Sequence, residues 1–140
     1  MSIRAATPYL ILNGRGERAV ALYTRALGAK TEALTRFGEA DQHCPAARKD
    51  HIQHATLRVG EALIMLSDGP VQEDAAPSLV SIALDFDDEA ELRQRFDSLA
   101  STGKPVLPVF DAPWGGVFGV VEDELGVHWM LNCSKPEVSN

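Results

Sequence analysis

The sequence predicts an α+β fold made of two βαβββ modules, and three observations carry this prediction. Short apolar runs with strict alternation are typical of strands, because successive side chains on a strand point to opposite faces. In each half of the chain one such run precedes an amphipathic helix. From the end of that strand to the glycine that ends the helix there are 16 residues in the first half (Leu12 to Gly28) and 17 in the second (Phe86 to Gly103). The matching order indicates a degenerate internal repeat of about 60 residues.

The first module is predicted to begin with the apolar strand 8–12 (PYLIL). Apolar residues at helical spacing then mark a helix that Gly28 can end; they are Ala19, Leu22, Tyr23, Ala26 and Leu27. Segments 54–59 (HATLRV) and 62–66 (ALIML) flank a Gly-Glu pair, which is typical of two antiparallel strands joined by a tight turn. Segment 30–37 (KTEALTRF) supplies the remaining strand, and we expect the polar stretch 38–52 to form a loop.

The second module repeats this order, starting from the alternating strand 81–86 (SIALDF). Its helix has a capping residue, Asp88, with Glu91 three residues later in a pattern similar to a capping box. Leu92, Phe96 and Leu99 form its apolar stripe. Three further strands are predicted at 105–110 (PVLPVF), 117–121 (VFGVV) and 127–131 (VHWML). We therefore expect one domain over residues 1–140, with modules at about 6–68 and 79–134 joined by a linker, DGPVQEDAAPS.

Composition excludes several classes of function. A formal net charge of −7 argues against a protein that coats nucleic acid or an anionic membrane, since clustered Lys and Arg hold those partners. No apolar run approaches the roughly 20 residues that span a bilayer, and the segment MSIRAATPYLIL lacks the features of a signal peptide. The expected compartment is the cytoplasm. Cys44 and Cys133 form no CxxC motif, and we expect both to be reduced thiols.

Three segments carry a resemblance to a known family: ERAVALYTRALGA, HATLRVGEALIMLSDG and WGGVFGVVEDELGVHWMLN. Together with the tandem βαβββ order, they resemble the vicinal oxygen chelate superfamily, which has the glyoxalase/bleomycin resistance/dioxygenase fold, and within it the PhnB-like branch. The resemblance covers residues 6–134. It implies curved mixed sheets with the helices on their convex side, which form a cup that often holds a divalent metal. It also implies a homodimer.

The resemblance also locates the positions that hold the metal in metal-dependent members of the family. Those members use a His or Gln, a Glu, a His and a second Glu, and the corresponding residues here are Thr7, Met65, Ser81 and Met130. A thioether is a soft, uncharged and weak ligand for such ions, and a neutral hydroxyl adds little. We therefore expect that the inherited metal site is absent and that no cofactor is needed.

Strand alternation predicts the lining of the cup independently of the family's ligand positions. Because the apolar set should face the helices, the opposite set should face the cup. That set is mixed, as in small-molecule sites generally. The candidate ligand-binding residues are Tyr9, His54, Arg58, Met65, Ser67, Ser81, Trp114, His128 and Met130.

Two of these residues suggest specific contacts. Arg58, with His54 or His128, could hold a carboxylate or phosphate, and Trp114, beside Gly115-Gly116, could close over a ring. The alternatives are that Arg58 points to solvent or pairs with Asp85, and that Trp114 packs at an interface.

Other chemical patterns are weaker. A zinc or nickel site in the long loop would draw on His43, Cys44, Asp50, His51 and His54, but their spacing matches no standard motif. A nucleophile–base pair of Cys44 with a neighbouring His lacks an orienting third group. The Ser67-Asp68-Gly69 segment is typical of a turn, and the glycines of LNGRGERAV match no phosphate loop. Proteins of the PhnB-like branch are sometimes named as methyltransferases, but no glycine-rich methyl-donor site is visible in this sequence.

Three hypotheses about function follow. The favoured one is metal-independent binding of a small organic ligand in the cup. The second is a metal-dependent lyase, isomerase or dioxygenase with an altered ligand set drawn from His54, His128, Asp85 and loop residues. The third is a structural or regulatory homodimer whose cup is filled by side chains, Met65 and Met130 among them. The sequence leaves open whether the protein catalyses a reaction.

Overall fold

The computed structural model describes residues 5–69, 80–113 and 115–134. Within them the chain forms two compact units, each with one four-stranded sheet and one long helix. The element order in each unit is strand, helix, strand, strand, strand, apart from a short helix and a 3₁₀ turn in the first. The predicted α+β fold with two βαβββ modules is therefore confirmed.

In the first unit the strands lie in the order β1-β4-β3-β2. Strand β1 runs parallel to β4, and the other neighbours are antiparallel. Helix α1 ends at Gly28, which adopts the left-handed conformation (φ 69°) that favours glycine. The bounds are β1 Tyr9–Ile11, α1 Gly16–Leu27, β2 Lys30–Arg36, β3 Ile52–Val59 and β4 Ala62–Ser67.

The second unit has the same topology, with strands in the order β5-β8-β7-β6. Here β5 is parallel to β8, and the remaining pairs are antiparallel. Asp88 caps α3 as predicted, since its Oδ1 accepts a hydrogen bond from the Ala90 amide at 3.1 Å. The bounds are β5 Ser81–Phe86, α3 Glu89–Ala100, β6 Lys104–Ala112, β7 Gly116–Glu122 and β8 His128–Ser134.

Each sheet packs one face against its own helix. Helix α1 buries Ala19, Leu22 and Tyr23, and α3 buries Leu92, Phe96 and Leu99. On the strands the predicted helix-facing residues include Leu57, Ile64, Leu66, Trp129 and Leu131, all of them buried. The alternation predicted from the sequence is thus correct for these strands. The opposite face of each sheet is not covered by the helix of its own unit, and we call it the open face.

The stretch predicted as a loop at 38–52 is more ordered than expected. It includes most of a short helix, α2 (Phe37–Ala40), and a 3₁₀ turn, Ala46–Arg48. The Arg48 guanidinium lies 4.3 Å from the centre of the Phe37 ring, and the Gly38 amide donates to the Lys49 carbonyl. These contacts join residues about ten positions apart, so local patterning does not reveal them. The predicted linker lies almost wholly outside the described residues.

Among the described residues, no helix is both long enough and apolar enough to cross a membrane.

Candidate functional site

Met65 lies at the centre of the open face of the first sheet. It sits on β4 in register with Tyr9 of the parallel strand β1 and with Thr56 of the antiparallel strand β3. Met65 is half-buried and Tyr9 is 46% exposed. An apolar thioether therefore lies between two hydroxyl-bearing side chains.

A hydrogen-bonded chain of three side chains runs across this face. The Tyr9 hydroxyl lies 3.0 Å from His54 Nδ1, and His54 Nε2 lies 2.9 Å from Thr56 Oγ1. Because β4 lies between β1 and β3, the contact from Tyr9 to His54 spans an intervening strand. Ser67, the other predicted residue of β4, is buried and its hydroxyl accepts from the Gly69 amide at 3.0 Å. That contact closes the predicted turn.

Arg58 forms an ion pair on the same sheet. Its Nε donates to Glu32 Oε2, and its Nη2 lies 3.2 Å from Glu32 Oε1. The hydrogen bond from Arg58 lowers the pKa of Glu32, and the same contact raises the pKa of Arg58. The alternative pairing of Arg58 with Asp85 is wrong, since Asp85 accepts instead from Asn132 Nδ2 at 3.3 Å.

Met130 lies at the centre of the open face of the second sheet. It sits on β8 in register with Ala83 of the parallel strand β5 and with Val120 of the antiparallel strand β7. Met130 is half-buried, as Met65 is. The surroundings differ, because its in-register neighbours are apolar.

A polar row crosses the second sheet beside Met130. Ser81, His128, Glu122 and Lys104 occupy matching positions on the four strands. His128 Nε2 lies 3.5 Å from Glu122 Oε1, and Lys104 Nζ lies 3.1 Å from Glu122 Oε2. The hydrogen bond from Lys104, with smaller contributions from its charge and from His128, lowers the pKa of Glu122. Glu122 therefore stays ionised and can orient the His128 ring.

Comparison with known proteins identifies the family. The model of the Glyoxalase/Bleomycin resistance protein/Dioxygenase superfamily matches residues 7–131. The chain belongs to this superfamily. It is 33% identical to Protein YjdN of Escherichia coli strain K12, over 94% of this chain and 96% of YjdN.

Two solved structures share the fold of this chain. Protein PA1353 from Pseudomonas aeruginosa is 36% identical, with a TM-score of 0.82 over 96% of this chain and all of that one. The PhnB protein from Bacillus cereus is 24% identical, with a TM-score of 0.79 over 94% of this chain and all of that one. The predicted superfamily is confirmed, and the likeness to the PhnB protein extends to the fold.

The residues at the four positions that the resemblance assigns to the metal do not fit a hard divalent metal. Met65 and Met130 offer thioethers, and Ser81 and Thr7 offer neutral hydroxyls. Such ions bind through carboxylate oxygens and imidazole nitrogens. The described residues contain no group of three or more His, Cys, Asp or Glu arranged to hold a metal, and this includes the candidate cluster of the loop 38–52.

Several charged residues that pair with side chains of the open faces were not predicted from the sequence. Glu122, Lys104 and Glu32 were not among the candidates, although each pairs with a charged or titratable residue of an open face. Strand register is the signal that locates them, and it follows only from the fold. The structure places Tyr9 and His54 together, and Ser81 and His128 in register; Trp114 lies outside the described residues.

Proposed function

We propose that this superfamily member binds a small organic ligand against the open faces of its sheets and needs no divalent metal to do so. The observation that carries the proposal is the placement of Met65 and Met130, each at the centre of an open face. Thioethers contact apolar ligand atoms favourably and adapt to their shape.

The polar groups beside these methionines support binding over a purely structural role. His54 and His128 lie on the open faces, and both are bonded to side chains that fix their orientation. Ligand sites combine apolar walls with a few oriented polar groups in this manner. Such groups would not favour a face whose role is only to pack against another surface, because a polar side chain that is buried without a hydrogen-bond partner costs free energy.

A ligand screen tests this proposal. The purified chain, with and without EDTA, is screened for thermal stabilisation by small carboxylic acids, phenols and neutral aromatic compounds. Hits are mapped by amide chemical shifts. We expect at least one compound that raises the melting temperature in a saturable way, unchanged by EDTA, with shifts on β3, β4, β7 or β8 rather than on the outer faces of α1 and α3.

Three variants provide the matched comparison. Met65→Glu places a charge on an open face and should abolish binding of a ligand that contacts the first sheet, with Met130→Glu doing the same for the second. Arg25→Glu makes a charge change on the exposed surface of α1 and should leave binding unchanged. Binding that disappears with EDTA, or no saturable hit at all, would contradict the proposal; the second result would favour a structural or regulatory role. The expected homodimer and cytoplasmic location stay predictions.

A further inference from the structure

We propose that the open face of the second sheet binds a bicyclic aromatic ligand that carries an ammonium group, with the rings on the apolar centre of the face and the ammonium beside Asp85. This inference rests on the proposed function, and it adds the chemical class of the ligand and the sheet that binds it. Its basis is the arrangement of side chains across β5, β8, β7 and β6, which strand register defines.

Two irregularities in β6 give this face a wide apolar centre. In a regular strand, residues 107 and 110 would point to opposite faces, because successive side chains alternate. One register shift precedes Leu107 and a second lies between Leu107 and Phe110, so that Leu107 pairs with Val120 and Phe110 with Phe118. Paired residues of neighbouring strands share a face, and Val120 also pairs with Met130. Both large β6 side chains therefore lie on the face of Met130.

The apolar centre is accessible, and one side of it is aromatic. Leu107 is 40% exposed and Phe110 is 36% exposed, while Met130 is half-buried. The rings of Phe110 and Phe118 meet edge to face, with their centres 6.2 Å apart and their planes at 89°. Thioether sulfur and aromatic rings both make favourable contacts with further aromatic rings. An aromatic ligand therefore finds suitable partners across this centre.

The dimensions of the centre favour a bicyclic ring system over a protein partner. From Met130 on β8 to Leu107 on β6 the face extends across two strand spacings, about 10 Å, and neighbouring rows of side chains lie about 7 Å apart along a strand. Two fused aromatic rings cover an area of this size. A stable protein–protein interface needs about 800 Å² on each partner, which is far more than this apolar centre provides.

Polar side chains border the centre on two sides, and they differ in what they leave for a ligand. On one side, Lys104 and His128 both contact Glu122, at 3.1 Å and 3.5 Å, so the Lys104 charge is already paired. On the other side, Asn132 Nδ2 donates to Asp85 Oδ1 at 3.3 Å. No cation pairs with Asp85 in the part of the chain that the structure describes. The free charge of this border is therefore negative, and it favours a cation.

Ala83 leaves room for the ligand to reach this carboxylate. It lies two residues before Asp85 on β5 and pairs with Met130. Because its side chain is a single methyl group, a short arm on rings that contact Met130 can bring an ammonium to Asp85. Asp85 is exposed, and an exposed ion pair changes an affinity by no more than about fivefold. Asp85 consequently provides selectivity, while the apolar centre provides most of the affinity.

A matched series of naphthalene derivatives tests the inference. 2-Naphthylmethylammonium, 2-naphthylmethanol and 2-naphthoate present one ring system with a positive, a neutral and a negative substituent. Their dissociation constants are measured at about pH 7 and low ionic strength, where charge effects are least screened. We expect the ammonium compound to bind about two- to fivefold more tightly than the alcohol, and the naphthoate to bind most weakly. Amide chemical shifts should change on β6, β7 and β8.

Two pairs of variants make the result specific. Asp85→Asn should bind the ammonium compound and the alcohol equally, whereas Glu61→Gln, the same change of charge in the β3–β4 turn of the first unit, should retain the preference. Leu107→Lys puts a charge on the apolar centre and should weaken all three compounds by about tenfold or more. Ala21→Lys, on the exposed surface of α1, should leave binding unchanged. Should Leu107→Lys fold poorly, Leu107→Ser is the milder replacement and should weaken the three compounds in the same way.

The outcomes separate this inference from the proposed function. Equal binding of the three compounds, a preference for naphthoate, a preference for the ammonium compound that persists in Asp85→Asn, or shifts confined to the first sheet overturns the inference and leaves small-molecule binding intact. Absence of binding by all three compounds also overturns it, while the proposed function is then decided by its own ligand screen. A chain that sediments as a dimer and becomes a monomer in Leu107→Lys would show that a second copy covers this face, and the ligand assignment would be wrong.

Discussion

Met65 and Met130 occupy equivalent positions in the two sheets. Each lies on the last strand of its unit, between a residue of the parallel first strand and a residue of the antiparallel third strand. The superfamily resemblance places a glutamate at both positions in metal-dependent members. Both open faces therefore carry an apolar, adaptable thioether at the position where the resemblance implies a carboxylate.

Asp68 should be important for the stability of the first unit. Its side chain is 2% exposed and accepts hydrogen bonds from the Gly16 amide at the start of α1, at 2.6 Å, and from the Ile52 amide, at 2.7 Å. Asp68→Ala leaves both amides without this acceptor, at about 1–3 kcal/mol each. We expect the free energy of unfolding in urea to fall by about 2–4 kcal/mol. A decrease in the free energy of unfolding of only a few tenths of a kcal/mol would contradict this role.

Gly16 provides an independent check on the same contact. A Cβ added at Gly16 would lie 2.7 Å from Asp68 Oδ1, which is closer than a Cβ approaches a neighbouring atom. Gly16→Ala should therefore destabilise the wild type and cost less in an Asp68→Ala background, where the carboxylate is gone. Urea unfolding of the wild type, the two single variants and the double variant gives the coupling energy. Additive losses of unfolding free energy would contradict the predicted clash.

Asp123 should hold the turn between β7 and β8. Its carboxylate, 3% exposed, accepts from the Leu125 and Val127 amides and from Trp129 Nε1, the last at 2.8 Å. Asp123→Ala removes the acceptor for all three donors and should cost about 3–5 kcal/mol in urea unfolding. Asp123→Asn keeps one oxygen, so its loss should be smaller. Equal losses for the two variants would contradict this assignment.

The Lys104–Glu122 pair should make a pH-dependent contribution to stability. Lys104 lowers the pKa of Glu122 in the folded state, so the pair stabilises the fold above the unfolded-state pKa of glutamate. This contribution is lost as the pH falls through the lowered pKa. Lys104→Met should therefore be less stable than wild type at neutral pH, and the difference should shrink from about pH 5 to about pH 3. A difference independent of pH would show that the lysine acts through its hydrocarbon chain.

The sequence predicted the regular parts of this fold well because their signals are local. Alternation in HATLRV and VHWML located β3 and β8, and Gly28 ended α1 as expected. Strand ends were less accurate: the strand predicted at 105–110 spans Lys104–Ala112. Helix α2 was missed because contacts with distant residues stabilise it.

The candidate site was predicted as a set of residues but not as an arrangement. Tyr9 and His54 were both candidates, yet their hydrogen bond depends on β1 and β3 lying on either side of β4. The pairing of Arg58 with Asp85, one of the alternatives, was wrong, because Glu32 comes near Arg58 only through the pairing of β2 with β3. The burial of Asp68 and Asp123 was not predicted, because a carboxylate in a turn segment is ordinarily exposed.

We infer that this superfamily member works without a divalent metal. It is tested most directly by elemental analysis of the wild-type chain, purified without an affinity tag and dialysed exhaustively, with Mn, Fe, Co, Ni, Cu and Zn quantified per chain. We expect every metal to be far below one equivalent, while ligand binding is retained. Near-stoichiometric metal that survives dialysis and is lost in His54→Ala or His128→Ala would contradict it.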